Sequence, residues 1–237
     1  MWQTFLKGGP VMWPLLACSV IALAIILERL IFLKRGKQDP AGFLRRLVWA
    51  MGQGRWVEAS SQADQPKTSV EKVIATGYTV FLNETNGNWQ FGDPNPYQEE
   101  ILGRVEEAME ARGRIEVDEM RQNLSILDVI ITISPMLGLL GTVTGIIKSF
   151  NVINALAGAS DPLKLSVGIA EALITTAAGL IVAIPALLCT TYINGLIERN
   201  VSQMNRWGDE FLRLLRTKRG DGYEHPGTPK TAATRDY

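Results

Sequence analysis

Three apolar runs, each long enough to cross a bilayer as a helix, leave this chain few folds to choose from. They are Val11 to Leu33, Ile126 to Phe150, and a third beginning near Leu165 and continuing through Ile193. A span needs roughly 20 apolar residues at about 1.5 Å rise each. Charges crowd into the remaining blocks, Glu28 to Lys72, Glu99 to Asp128 and Glu198 to Arg219. The 237 residues carry 24 Lys and Arg against 24 Asp and Glu, so a net charge of zero conceals strong segregation. That pattern predicts an all-α, polytopic membrane protein rather than a soluble globule. A neutral total gives no reason to expect nucleic acid as a partner.

The basic residues Lys34, Arg35 and Lys37 follow the first apolar run instead of preceding it. The run therefore reads as a retained transmembrane helix and not a signal peptide. Arg45, Arg46 and Arg55 lie on the same side; Arg112, Arg114 and Arg121 precede the second run, and Arg199, Arg206, Arg213, Arg216, Lys218 and Arg219 follow the third. The excess of basic residues places these segments in the cytoplasm. The expected organisation is an outward amino terminus (1–10), span 11–33, a cytoplasmic helical domain (34–125), span 126–150, an outward connector (151–164), span 165–196, a cytoplasmic helix (197–219) and a disordered tail (220–237).

The cytoplasmic segment reads as mostly helical. FLRRLVWAMGQGRWVEAS has helical spacing broken by Gly52 and Gly54, and Ser69 to Leu82 is a second helical stretch. Asn83 to Tyr97 is rich in turn formers and predicts a loop. From Gln98 the sequence is strongly helical without proline and is expected to continue unbroken into the second span. IERNVSQMNRWGDEFLRLLRTKR extends the third span in the same way. Cys18 and Cys189 lie in apolar runs and His225 lies in the polar tail, so no disulfide, metal site, catalytic triad or cofactor is expected.

Glu171 is the residue that most demands a function, since it sits within a small, apolar stretch, SVGIAEALITTAAGLIVAIPALLCTTYI. An acid there costs about 2.5–3.5 kcal/mol on insertion scales and usually faces a bundle interior or a water-filled path. Small residues form stripes beside it. Gly138, Thr142, Gly145 and Ser149 recur at helical spacing in the second span, with Gly141 and Gly145 a small-xxx-small pair. Gly168, Ala172, Thr175, Gly179, Ala183 and Ala186 do so in the third. Such stripes let helix backbones approach closely in lipid. Thr175 shares a face with Glu171, whereas Thr176 lies about 140° away, so one group should line a path while the other sits nearer a subunit seam. A hydroxyl bonded back to its own helix is the plain alternative for Thr142 and Thr176. Pro135 and Pro185 permit bends. Lys148 is expected to snorkel, and Glu28 and Arg29 either do the same or reach a neighbouring helix.

GLLGTVTGI (Gly138 to Ile146) followed by GIAEALITTAAGLIVAIPA (Gly168 to Ala186) resembles the MotA/TolQ/ExbB proton-channel family. The first span ending in ERL (Glu28 to Leu30) fits too, and the three spans with an outward amino terminus look like the TolQ/ExbB branch. The resemblance implies a homopentameric ring around a central pore in the bacterial inner membrane, its outward side being the periplasm. It implies a dimeric, single-span partner of the ExbD/TolR type within the ring, a TonB- or TolA-type protein beyond it, and phospholipids around it. It implies that Thr142, Thr176 and Glu171 line the proton pathway and that Gly138, Gly141, Gly145, Gly179 and Pro185 shape the helices. The titrating aspartate would belong to the partner. The function so implied is a stator subunit converting proton motive force into work for outer-membrane active transport. The alternatives are a TolQ-like role in outer-membrane integrity and cell division, or a non-conducting oligomeric scaffold; a membrane enzyme lacks any plausible nucleophile–base pair.

Overall fold

The structure, a computed structural model, describes residues 8–34, 39–86, 97–155 and 162–216, and within them it is entirely helical apart from turns. Most of the expected 83–97 loop, Asp161 in the connector, and the tail with His225 lie outside the described residues. The chain divides into two compact units, one formed by Met1–Lys37 with Gly113–Gln203 and the other by Gln38–Arg112 with Met204–Tyr237.

The first unit holds three helices long and apolar enough to cross a membrane. Helix α1 spans Met12–Lys34, α6 spans Leu124–Ala155, and α7 runs from Pro162 to Arg216 as one helix of 55 residues that continues into the second unit. Met12, Leu15, Ala22, Ile25 and Ile26 are the buried apolar residues of α1, which packs against α6. The expected unbroken helix from Gln98 through the second span is interrupted. Helix α5 (Gln98–Arg121) ends two residues before Asn123, which stands at φ +63°, and α6 begins at Leu124. Asparagine is among the few residues that adopt this left-handed conformation readily. The sequence carries no proline or glycine there to signal it.

The second unit is a small helical cluster. Helices α2 (Pro40–Gly52), α3 (Trp56–Ala63) and α4 (Ser69–Thr85) pack on one another. They share the unit with the first part of α5 and the last turns of α7. The α2–α3 corner follows from Gly54. At φ +70° it lets the Gly54 and Arg55 amides turn back to the Met51 and Ala50 carbonyls, a Schellman closure. Helix α4 opens with a capping box between Thr68 and Glu71 and closes at Asn86, φ +49°. Residues 83–85, expected in the loop, therefore complete the helix. Tyr78, Phe81, Leu102, Val105 and Phe211 are buried, and Met109 fills the space left by Gly77.

Candidate functional site

Helices α6 and α7 meet along the small-residue stripes. A β-carbon added to Gly179 would lie 2.5 Å from the Ser134 carbonyl oxygen, and one on Gly145 would lie 2.8 Å from that of Gly168. One on Gly138 would sit 3.1 Å from the Thr176 α-carbon, and one on Gly141 would overlap the Thr175 side chain. The glycines thus permit backbone-to-backbone contact, which supplies the dispersion that holds helices together in lipid. Pro185 lies inside α7 and Pro135 inside α6.

The hydroxyls along this seam are bonded. Thr142 donates to the Leu139 carbonyl of its own helix at 2.6 Å. Thr176 lies within bonding distance of the Gly138 carbonyl across the seam at 3.1 Å and of its own Ala172 carbonyl at 3.3 Å. Ser134 and Ser149 donate back to Ile130 and Gly145. Thr175, fully buried, reaches the carbonyls of Glu171 at 2.8 Å and Gly8 at 2.9 Å. The plain alternative thus describes Thr142, while Thr176 joins two helices.

Glu171 stands at the connector end of this seam, 17% exposed. Its Oε1 accepts from the Lys148 ammonium at 2.5 Å. Lys148, expected to snorkel, instead ties α6 to α7, because an intramembrane acid gains more from a nearby cation than a cation gains by reaching outward past it. The Gly8–Gly9 turn lies against the carboxylate, so close that a β-carbon on Gly9 would overlap Oε1. The structure therefore brings Glu171, Lys148, Thr175 and the Gly8–Gly9 turn together, brings Thr176 against Gly138, and leaves Thr142 bonded to neither acid nor threonine. Lys148, Gly8 and Gly9 are the residues that sequence reasoning did not place at the site. No group of three metal-ligating side chains occurs among the described residues.

The model of the MotA/TolQ/ExbB proton channel family matches residues 90–206, which include α6 and most of α7. The chain is 34% identical to the biopolymer transport protein ExbB-like 1 of Synechocystis sp. over 214 residues, 90% of this chain and 78% of that one. It is 27% identical to the Tol-Pal system protein TolQ of Pseudomonas aeruginosa, covering 88% of this chain and 87% of that one. It is 28% identical to the biopolymer transport protein exbB1 of Vibrio cholerae, covering 83% and 80%.

Proposed function

The chain belongs to the MotA/TolQ/ExbB proton channel family as an ExbB-like, multi-pass membrane protein, and from that premise we propose that it is the stator subunit of an inner-membrane proton channel. In this reading several copies, five by family resemblance, surround a dimeric single-span partner of the ExbD/TolR type. Proton flow through the assembly does work on a periplasm-spanning protein of the TonB or TolA type. The amino terminus and the 151–164 connector face the periplasm, and the second unit and carboxyl terminus face the cytoplasm, as the basic residues require.

The observation that carries the reading is the placement of an acid and a cross-helix threonine along one seam of two apolar helices. A proton moving down 100 mV releases about 2.3 kcal/mol. Coupling that energy to motion requires an acid on the partner to charge and discharge in alternating surroundings. An ionised partner carboxylate is stabilised where a hydroxyl can donate to it, and a protonated one rests against apolar surface at lower cost. Thr142 and Thr176 are the hydroxyls assigned to this work. Each now donates to a backbone carbonyl, and rotation about one side-chain bond redirects it. Glu171 stabilises the hydrated path or the partner. Gly138, Gly141, Gly145, Gly179 and Pro185 set the helix geometry that presents these groups.

The test is proton uptake in proteoliposomes containing the chain and its partner. Glu171→Ala and Thr176→Ala each lower the flux; unchanged flux in both removes these residues from the pathway. The bonding of Thr142, Ser134 and Ser149 to their own helices favours one competing reading, a non-conducting oligomeric scaffold. Absence of partner-dependent flux in the unaltered chain would select it.

A further inference from the structure

The acid at the connector end of the α6–α7 seam is met by two other segments of the chain. Lys148 reaches it from α6. The chain ahead of α1 also lies against it, in a turn where the Met12 amide donates to the Gly9 carbonyl at 3.2 Å. Gly9 holds φ +72°, a conformation that side-chain-bearing residues rarely adopt. A β-carbon on Gly9 would also run into Glu171 Oε1, the oxygen that Lys148 holds. The residue is thus required to be small twice, by its own backbone and by the carboxylate beside it. The Thr175 hydroxyl pins the turn through the Gly8 carbonyl. One carboxylate therefore joins three separate segments of the chain.

We propose that Lys148 is a positioning residue for Glu171: its ammonium, with the Gly8–Gly9 turn alongside, holds the carboxylate in a closed latch that parts before Glu171 takes up or passes charge. The transport half of this statement rests on the channel reading above; the latch itself does not. In a membrane-spanning segment an acid has little water to turn to, so the cation supplied by the chain decides whether the group is available to anything else. The asymmetry of exposure fits such a device. Glu171 is largely covered while Lys148 is 51% exposed, so the ammonium can swing away without disturbing packing.

The latch is read by labelling Glu171 with a hydrophobic carbodiimide on the purified full-length chain in detergent, followed by mass spectrometry; a carboxyl group freed from its ion pair and protonated adds through oxygen to the carbodiimide carbon, passes its proton to nitrogen and rearranges to a stable N-acylurea. The unaltered chain labels slowly. Lys148→Met labels about tenfold faster, the scale on which a neighbouring charge alters carboxyl chemistry. Lys148→Arg stays near the unaltered rate, since a guanidinium can replace the ammonium. Gly9→Ala labels faster with Lys148 still present. A role limited to packing would spare the methionine variant, whose side chain fills similar space, and would not favour arginine. If Lys148→Met fails to fold, Lys148→Gln carries the comparison. Labelling at the unaltered rate in the uncharged variant, or equally fast labelling in Lys148→Arg, overturns the latch. No partner is present, so this outcome is independent of the flux measurement that tests the channel reading.

Discussion

The guanidinium of Arg29, near the end of α1, donates from Nη1 to the main-chain carbonyl of Glu119 at 2.9 Å. Glu119 lies in the last turn of α5, where helical carbonyls lack partners along the axis and attract cations. Arg29 is 3% exposed, bonds Glu28 at 2.7 Å and lies 5.3 Å from the Phe32 ring centre. It does not snorkel; it closes the helix end that the Asn123 turn creates.

Removing that guanidinium should destabilise the membrane unit. Arg29→Met loses the charge-assisted hydrogen bond to the Glu119 carbonyl, a cost of about 1.5–3 kcal/mol. Thermal unfolding of the full chain in detergent is the measurement; a shift no larger than that of an exposed arginine such as Arg213 would show that the bond contributes nothing.

The seam glycines should rank by the room around them. Gly179→Ala and Gly145→Ala place a methyl against backbone oxygen and should each cost about 1–3 kcal/mol. Gly138→Ala, with slightly more space, should cost less. Gly103 lies within α5 with nothing within 4 Å of an added β-carbon, so Gly103→Ala should be neutral or stabilising by about 0.4–1 kcal/mol. Melting curves of the four variants give the order directly.

Alkaline pH should weaken the second unit through Tyr78. Its side chain is 1% exposed, and the hydroxyl lies 3.1 Å from the Trp56 carbonyl and 3.3 Å from Ser60 Oγ. Burial raises the phenol above its ordinary value of 10.0; the Ser60 bond opposes this, and the nearby Asp64 charge adds to it. A raised value means the folded chain holds the proton more tightly than the unfolded chain. The stabilisation is complete below the unfolded value and is lost as pH rises through the folded one. Tyr78→Phe should therefore lose less stability than the unaltered chain above about pH 10. It should also be weaker by about 0.5–1.5 kcal/mol at neutral pH. Parallel pH series of thermal unfolding would reveal any failure of the two curves to converge.

The three apolar helices were legible because apolar length is a direct requirement of the hydrocarbon and survives any detail of packing. The stripes of Gly138, Gly145, Gly168 and Gly179 were legible for the same kind of reason, since close approach leaves a compositional trace. The Asn123 turn was not, because one asparagine within a helical pattern carries almost no signal. The partnership of Lys148 with Glu171 leaves a weak trace in the sequence. Both lie within a few turns of the short connector, so an antiparallel hairpin brings the opposite charges near each other. Gly9 could not be assigned from sequence. Its need to be small arises only when the chain ahead of α1 folds onto α7.

The backbone contact between Ser134 and Gly179, and again between Gly145 and Gly168, leaves no room even for a methyl group between α6 and α7 at these two levels. At those levels a Grotthuss wire has no space to pass between the two helices. In the channel reading proposed above, charge crosses the bilayer along the hairpin's outer flanks, so each copy supplies an insulating wall and the conduit forms only where that wall faces something else.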